Sequence, residues 1–148
     1  MRIRLATPAD IPRLKELAKQ AMMAAHWSRE QYETALSGAP PSRVVLVVEE
    51  EAGVQGFIVG MSLDEEWEIE NIVVGASLRR RGLGTRLLRE FLDLVQSNGA
   101  ERIFLEVRES NLAARRLYEK WAFVESGRRQ RYYREPDEDA IVYQRGFA

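Results

Sequence analysis

Cysteine is absent from the 148 residues, which excludes disulfides, thiolate metal sites and a cysteine nucleophile together. Histidine occurs once, as His26. A serine–histidine–aspartate relay or a multi-histidine metal site therefore lacks its parts, and no metal is expected. Charge of one sign is lacking too: 22 Lys and Arg stand against 23 Asp and Glu, for a formal net charge of −1. No global field favours nucleic acid or an anionic membrane, so neither is expected as a partner and any basic site has to be local. No apolar run is long enough to span a bilayer, and Met1-Arg2-Ile3-Arg4 has no apolar signal core; the expected location is the cytoplasm. Gly60-Met61-Ser62-Leu63-Asp64 lacks the final glycine of a nucleophile elbow. Repeats, linkers and low-complexity segments are missing as well. The expected organisation is one domain over residues 1–148 around a single core.

What is present reads as alternating strands and helices. Arg2 to Ala6 alternates polar and apolar, as a half-buried strand does. Thr7-Pro8-Ala9-Asp10 is a helix start, with Thr7 as cap, Pro8 at the first helical position and Asp10 completing a capping box. Ile11, Leu14, Leu17, Ala18 and Ala21 share one face of that helix. Ser28-Arg29-Glu30-Gln31 opens a second, short helix that stops near Gly38. Val44 to Val48 is a β-branched run expected in a buried strand. Glu49-Glu50-Glu51-Ala52-Gly53 makes a solvated turn, Val54 to Leu63 returns, and about Trp67 to Val74 forms the next strand, with Glu68, Glu70 and Ile72 expected on one face. Leu83, Leu87, Leu88, Phe91, Leu92 and Val95 line one face of a helix that ends at Asn98-Gly99. Arg102 to Arg108 is a strand with Phe104, Glu106 and Arg108 on one face and Ile103, Leu105 and Val107 on the other. A short helix from Asn111 to Lys120 and closing strands over Phe123 to Arg128 and Ala140 to Arg145 complete the chain. The order β-α-α-β-β-β-α-β-α-β-β implies an α/β (α+β) fold: a mixed central sheet of about six to seven strands, flanked by helices.

The most specific local feature is Arg79-Arg80-Arg81-Gly82-Leu83-Gly84-Thr85, lying between an apolar strand and an amphipathic helix. Glycines there free backbone N–H groups to point into one space. The helix N-terminus adds about half an elementary positive charge. Such a place binds phosphate or pyrophosphate. The spacing is neither a Walker A loop nor G-x-G-x-x-G. Taken alone, it also reads as an ordinary strand-to-helix turn with solvated arginines.

The R-x-x-G-x-G spacing from Arg79 to Gly84 resembles the pyrophosphate loop of the GNAT family, the Gcn5-related N-acetyltransferases. Downstream, Phe104-Leu105-Glu106-Val107-Arg108-Glu109-Ser110-Asn111, then Ala113 to Lys120 and Trp121-Ala122-Phe123, is similar to that family's second block of strand, Asn-capped helix, tyrosine and Gly-Phe corner. The likeness runs from the first strand to Val142. Within the family it is nearest to the RimI group of protein N-terminal acetyltransferases, through Glu68 to Val74, Leu105 to Arg108, Arg131-Tyr132-Tyr133 and Glu138 to Val142. His26-Trp27-Ser28 is similar to that group's Pro-Trp-Ser, without the proline. Ala122 stands where the family usually has glycine.

The resemblance implies the GNAT fold and acetyl-CoA as co-substrate. It implies direct transfer of an acetyl group, in a ternary complex, to the α-amine of an acceptor protein such as a small-subunit ribosomal protein. It implies backbone contacts to the pantetheine arm from Ile72, Val73 and Val74, and to the pyrophosphate from Arg79, Arg80, Arg81, Gly82, Leu83, Gly84 and Thr85. Asn111 and Tyr118 would contact the cofactor; Glu106 corresponds to the group's base and Tyr118 to its acid. Glu68 is a reserve base, because related N-terminal acetyltransferases place one near it. Trp27, Tyr32, Tyr132 and Tyr133, with Glu68, would wall the acceptor groove. The residues themselves also allow plainer readings: Glu106 as a solvated strand carboxylate, Tyr118 as half-core, Asn111 as a helix cap, the aromatics as rim packing. An acceptor that is a small amine or a lysine side chain stays open, as does an acyl-CoA-binding sensor without turnover.

Overall fold

A computed structural model describes residues 1–21, 24–75, 82–134 and 136–147. Their elements are β1 (Arg2–Leu5), α1 (Ile11–Gln20), α2 (Arg29–Leu36), β2 (Arg43–Glu50), β3 (Gly53–Leu63), β4 (Glu66–Val74), α3 (Leu83–Ser97), β5 (Arg102–Arg108), α4 (Leu112–Lys120), β6 (Val124–Tyr133) and β7 (Glu138–Gly146). The expected order holds. One seven-stranded sheet runs β1-β2-β3-β4-β5-β7-β6. Among the described residues only β4 and β5 pair in parallel; α3 supplies the crossover that a parallel pair requires.

Local chemistry starts and stops the helices. A 3₁₀ turn over Pro8–Asp10 precedes α1, and the Asp10 carboxylate accepts the Thr7 N–H at 2.8 Å. Arg4 holds the same carboxylate through two nitrogens at 2.8 and 3.0 Å. At α2, Ser28 and Gln31 exchange bonds of 2.8 and 3.2 Å, a complete capping box. Glu49, expected at a solvated turn, instead lies within β2 and accepts from Arg4 at 3.1 Å.

The two faces of the sheet bury separate clusters. Leu83, Leu87, Leu88, Phe91, Leu92 and Val95 of α3 pack on one face with Trp67, Ile69, Ile103, Leu105, Val107 and Tyr118. Ile11, Leu14, Leu17 and Ala18 of α1 pack on the other with Tyr32, Val45, Val47, Phe57 and Val73. Full burial of each such side chain contributes about 1.5–3 kcal/mol before entropy is counted. A Cβ at Gly60 would collide with the Phe91 ring, so glycine there lets α3 lie close on the sheet.

Two irregularities open the sheet at its centre. Val59 pairs with Asn71 but Gly60 with Ile69, leaving Glu70 as an extra residue in β4. Such a bulge bends its strand and reverses the alternation beyond it. Trp67 and Ile69 point to the α3 side, and so do Ile72 and Val74, while Val73 points to the α1 side. The expectation that Glu68, Glu70 and Ile72 share a face is thereby corrected. Secondly, β4 and β5 pair only from Glu66–Arg102 to Ile69–Leu105. Beyond that, β4 continues along β3 to Val74 and β5 along β7 to Arg108, so the two strands splay apart.

Candidate active site

A cleft of about 430 Å³ occupies the splay, walled by β4 from Glu68 to Ile72, β5 from Glu106 to Arg108, Asn111, Tyr118, Tyr132 and Tyr133. Because alternate residues of β5 face opposite ways, Glu106 belongs to the α1 side of the sheet. Tyr118 reaches the cleft from the α3–α4 side. The expected acid–base pair therefore meets only through the gap between β4 and β5. The cleft therefore has two sides of different character.

On the α4 side, Asn111 caps the helix by accepting the Ala114 N–H at 3.3 Å and also lines the cleft, so capping and ligand contact coexist. Tyr118 is 4% exposed, deeper than the half-core position its neighbour Leu117 implied. Its ring packs edge-on against Phe123. Burial, with a small contribution from Tyr133, pushes the Tyr118 hydroxyl well above the usual tyrosine range. It is protonated at neutral pH, a donor and not a base.

On the α1 side three carboxylates converge. The Glu106 side chain is 11% exposed, not solvated, and pairs with Arg129 at 3.0 Å. Glu70 pairs with Arg43 at 2.7 Å. Glu68 has no ion pair among the described residues; burial first, then the charges of Glu70 and Glu106, raise it above the usual glutamate range. The Glu106 charge, with burial behind it, raises the Tyr132 hydroxyl. Tyr133 is pushed up to about 12, by burial and then by Glu106. The Arg108 guanidinium stacks over the Tyr133 ring at 4.5 Å and bonds the carbonyls of Arg134 and Pro136 at 3.1 and 3.2 Å. It thereby fastens the β6–β7 turn to the end of β5.

The placement of the remaining expected residues is uneven. Ile72 lines the cleft, while the Val73 side chain is core and Val74 packs under α3. Val73 and Val74 therefore offer a ligand only their backbone, and beyond Ile69 the β4 backbone has no β5 partner, which suits hydrogen bonding to an extended pantetheine chain. Gly82 begins α3 in the left-handed conformation with φ +77°. The Leu83 side chain is buried, Gly84 lies under Val74 and Leu117, and Thr85 is half-buried in the first turn. Arg79, Arg80 and Arg81 lie outside the described residues. Tyr32 is 1% exposed and packs in the core against Trp27 and Phe57, so it does not wall the cleft. Trp27 is not among the residues that line the cleft, and Arg43 stacks on its ring at 5.7 Å.

Sequence reasoning missed Arg129, Arg108, Arg43 and Glu70. Their roles rest on pairing across β5, β7 and β6 and across β2, β3 and β4, and no local pattern announces it. The strand expected to stop at Arg128 continues to Tyr133 through a register shift. There Arg131 adopts φ +49° and donates its N–H to Asp139 at 2.9 Å. That kink aims Tyr132 and Tyr133 into the cleft.

A parallel pair splayed around a cleft, a glycine-led helix following β4, and carboxylates across the seam from a buried tyrosine fit an acyl-transfer enzyme. The profile of the acetyltransferase (GNAT) family matches residues 11–123, and the chain belongs to that family. It is an N-acetyltransferase, and the family's acetyl donor is acetyl-CoA. The ribosomal protein bS18-alanine N-acetyltransferase of Salmonella typhimurium is 39% identical over 88 residues, 58% of this chain and 60% of that protein. The N-alpha-acetyltransferase RimI of Mycobacterium tuberculosis is 41% identical over 80 residues, 54% of this chain and 49% of that protein. The solved structure of the ribosomal-protein-S18-alanine N-acetyltransferase from Escherichia coli superposes with a TM-score of 0.88 at 28% identity, covering 99% of this chain and 94% of that one.

Proposed function

We propose that the acceptor is the α-amine of a protein N-terminus, with the N-terminal alanine of a ribosomal protein as the first candidate, as the names of the Salmonella and Escherichia relatives state for those proteins. One observation carries the reading: three carboxylates, Glu68, Glu70 and Glu106, face the α1 side of the cleft, with two guanidinium partners, Arg43 and Arg129, among the described residues. The balance is completed by one monocation, and an N-terminal ammonium is one. Acetyl-CoA would enter from the opposite side. Its arm would lie along the backbone of Ile72, Val73 and Val74, and its pyrophosphate at Arg79 to Thr85. Asn111 and Tyr118 would be at its thioester end.

An α-amine has a pKa of about 8 and a lysine about 10, so an N-terminal amine is partly neutral near pH 7 and a weak base completes its deprotonation. Glu106 takes that proton, directly or through a water, and Glu68 is the alternative acceptor. The amine nitrogen forms a bond to the acetyl carbon as the carbon–sulfur bond breaks. Tyr118, kept protonated by burial, supplies a proton to the departing sulfur. Neither step needs a covalent enzyme intermediate.

Thiol release from acetyl-CoA, followed with N-terminal peptides, lysine peptides and small amines, tests the reading. Preference for alanine-initiated peptides is expected. Release with small amines or lysine side chains alone would assign a different acceptor, and tight acetyl-CoA binding without release on any amine would make the protein a sensor.

A further inference from the structure

Glu106 is not free to meet an acceptor. Arg129 reaches it from the edge strand β6, with its Nε 3.0 Å from Oε1. The arginine side chain is 58% exposed and the carboxylate 11%, so the guanidinium approaches from the solvent side and covers the carboxylate. It also stacks over the Tyr132 ring at 5.3 Å, and the Tyr132 hydroxyl lies close enough to Glu106 to be raised by its charge. A planar cation held between a carboxylate and an aromatic face takes up the place an acceptor ammonium needs.

The backbone behind this contact is pinned. Arg128, the preceding residue, pairs with Glu109 at 2.6 Å and Asp139 at 2.8 Å, and Asp139 also receives the Arg131 N–H. The Arg129 side chain can therefore swing without moving its strand. The other charged groups near Glu106 among the described residues are Glu68, the Glu70–Arg43 pair and, two residues along β5, Arg108, which pairs with Glu138 at 3.4 Å and lies over Tyr133. Arg43 and Arg108 are each held by a carboxylate of their own, so neither is free to replace Arg129. Glu68 is the one cleft carboxylate an incoming ammonium can meet before any contact breaks.

We infer that Arg129 is a latch, a guanidinium that occupies the ammonium position at Glu106 in the resting enzyme and is exchanged for the acceptor's own ammonium on binding. The inference rests on the proposed amine acceptor and adds a positioning residue to it. Each acceptor binding event then breaks one ion pair as it forms another. Arg129, once released, stands at the mouth of the cleft beside Tyr132.

The test is steady-state kinetics of Arg129→Ala and Arg129→Lys, with whichever amine the wild-type enzyme turns over. Failure of every peptide as acceptor sinks the N-terminal reading alone, because the latch is still tested with the amine that works. A half-exposed ion pair competes only weakly, so its loss should lower the acceptor KM of the alanine variant roughly three- to five-fold. The acetyl-CoA KM should hold, and the lysine variant should stay near wild type. A residue that merely supported the fold would not lower the KM of one substrate selectively. An acceptor KM that is unchanged or raised in Arg129→Ala, in a variant that melts like wild type, would overturn the latch; so would a fall in kcat with KM unchanged.

Discussion

Glu106 and Tyr118 occupy environments that suit opposite proton duties. The carboxylate faces two tyrosines and an exchangeable guanidinium, while the phenol sits among apolar rings and keeps its proton. Glu106→Gln and Tyr118→Phe should each lower kcat by about 100-fold or more, the usual yield of a positioned acid or base, with acetyl-CoA affinity measured by calorimetry nearly unchanged. Full rates in both variants would remove them from the chemistry. A stability prediction belongs to Ala122. This residue adopts φ +68° at an exposed corner between α4 and β6, in a conformation that costs a non-glycine residue about 1–2 kcal/mol. Glycine loses up to about 1 kcal/mol of that gain to unfolded-state entropy. Ala122→Gly should thus raise stability by about 0.5–1 kcal/mol in urea melts, with the slope unchanged. The sequence marked that corner as unusual through its departure from glycine, and the backbone explains why glycine is the easier residue there.

At the scale of elements, caps and periodicity were legible because they are local. The Ser28–Gln31 box, the apolar stripe of α3 and the Asn111 cap all act within four residues. Two strand irregularities at the cleft were not. The extra residue Glu70 in β4 and the kink at Arg131 in β6 exist only relative to the strands alongside them; the first reverses which side chains of β4 face the cleft, and the second turns Tyr132 and Tyr133 towards it. An assumed strict alternation therefore misplaced Ile72, and the closing strand was ended too early to bring in Arg129. The start of α3 requires a left-handed backbone. Gly82 is left-handed with open space where a Cβ would lie, so Gly82→Val forces a β-branched residue into a strained conformation beside the first helical N–H groups. Acetyl-CoA affinity should fall about ten-fold, a loss of roughly 1.4 kcal/mol, and unchanged affinity in calorimetry would remove this loop as the cofactor grip. Gly82→Asn, which tolerates the same backbone, should lose much less.

For the molecule as a whole, the sheet is held closed by two apolar clusters and opened at one seam, and the charge at that seam has a stability cost. Glu68 is raised by burial and by neighbouring carboxylates. A group whose folded pKa lies above its unfolded value favours the fold below the unfolded pKa of about 4.3, and that contribution is lost as pH rises through the folded value. Glu68→Gln should therefore melt higher than wild type at pH 7, with the difference shrinking towards pH 4. A constant difference across that range would mean the effect is packing and not charge. By itself the sequence determined the elements, their order, the helix caps and the glycine-led loop, since each depends on neighbours in the chain; Glu106 and Tyr118 as base and acid came from the resemblance to the family and stand as a proposal. Only the tertiary structure decided that Glu106 and Tyr118 approach from opposite faces, that Tyr32 is core, and that Arg129 guards the carboxylate. Those facts depend on where β4 leaves β5 and on how β6 lies beside β7. Such pairing between distant segments leaves no periodic trace in the chain.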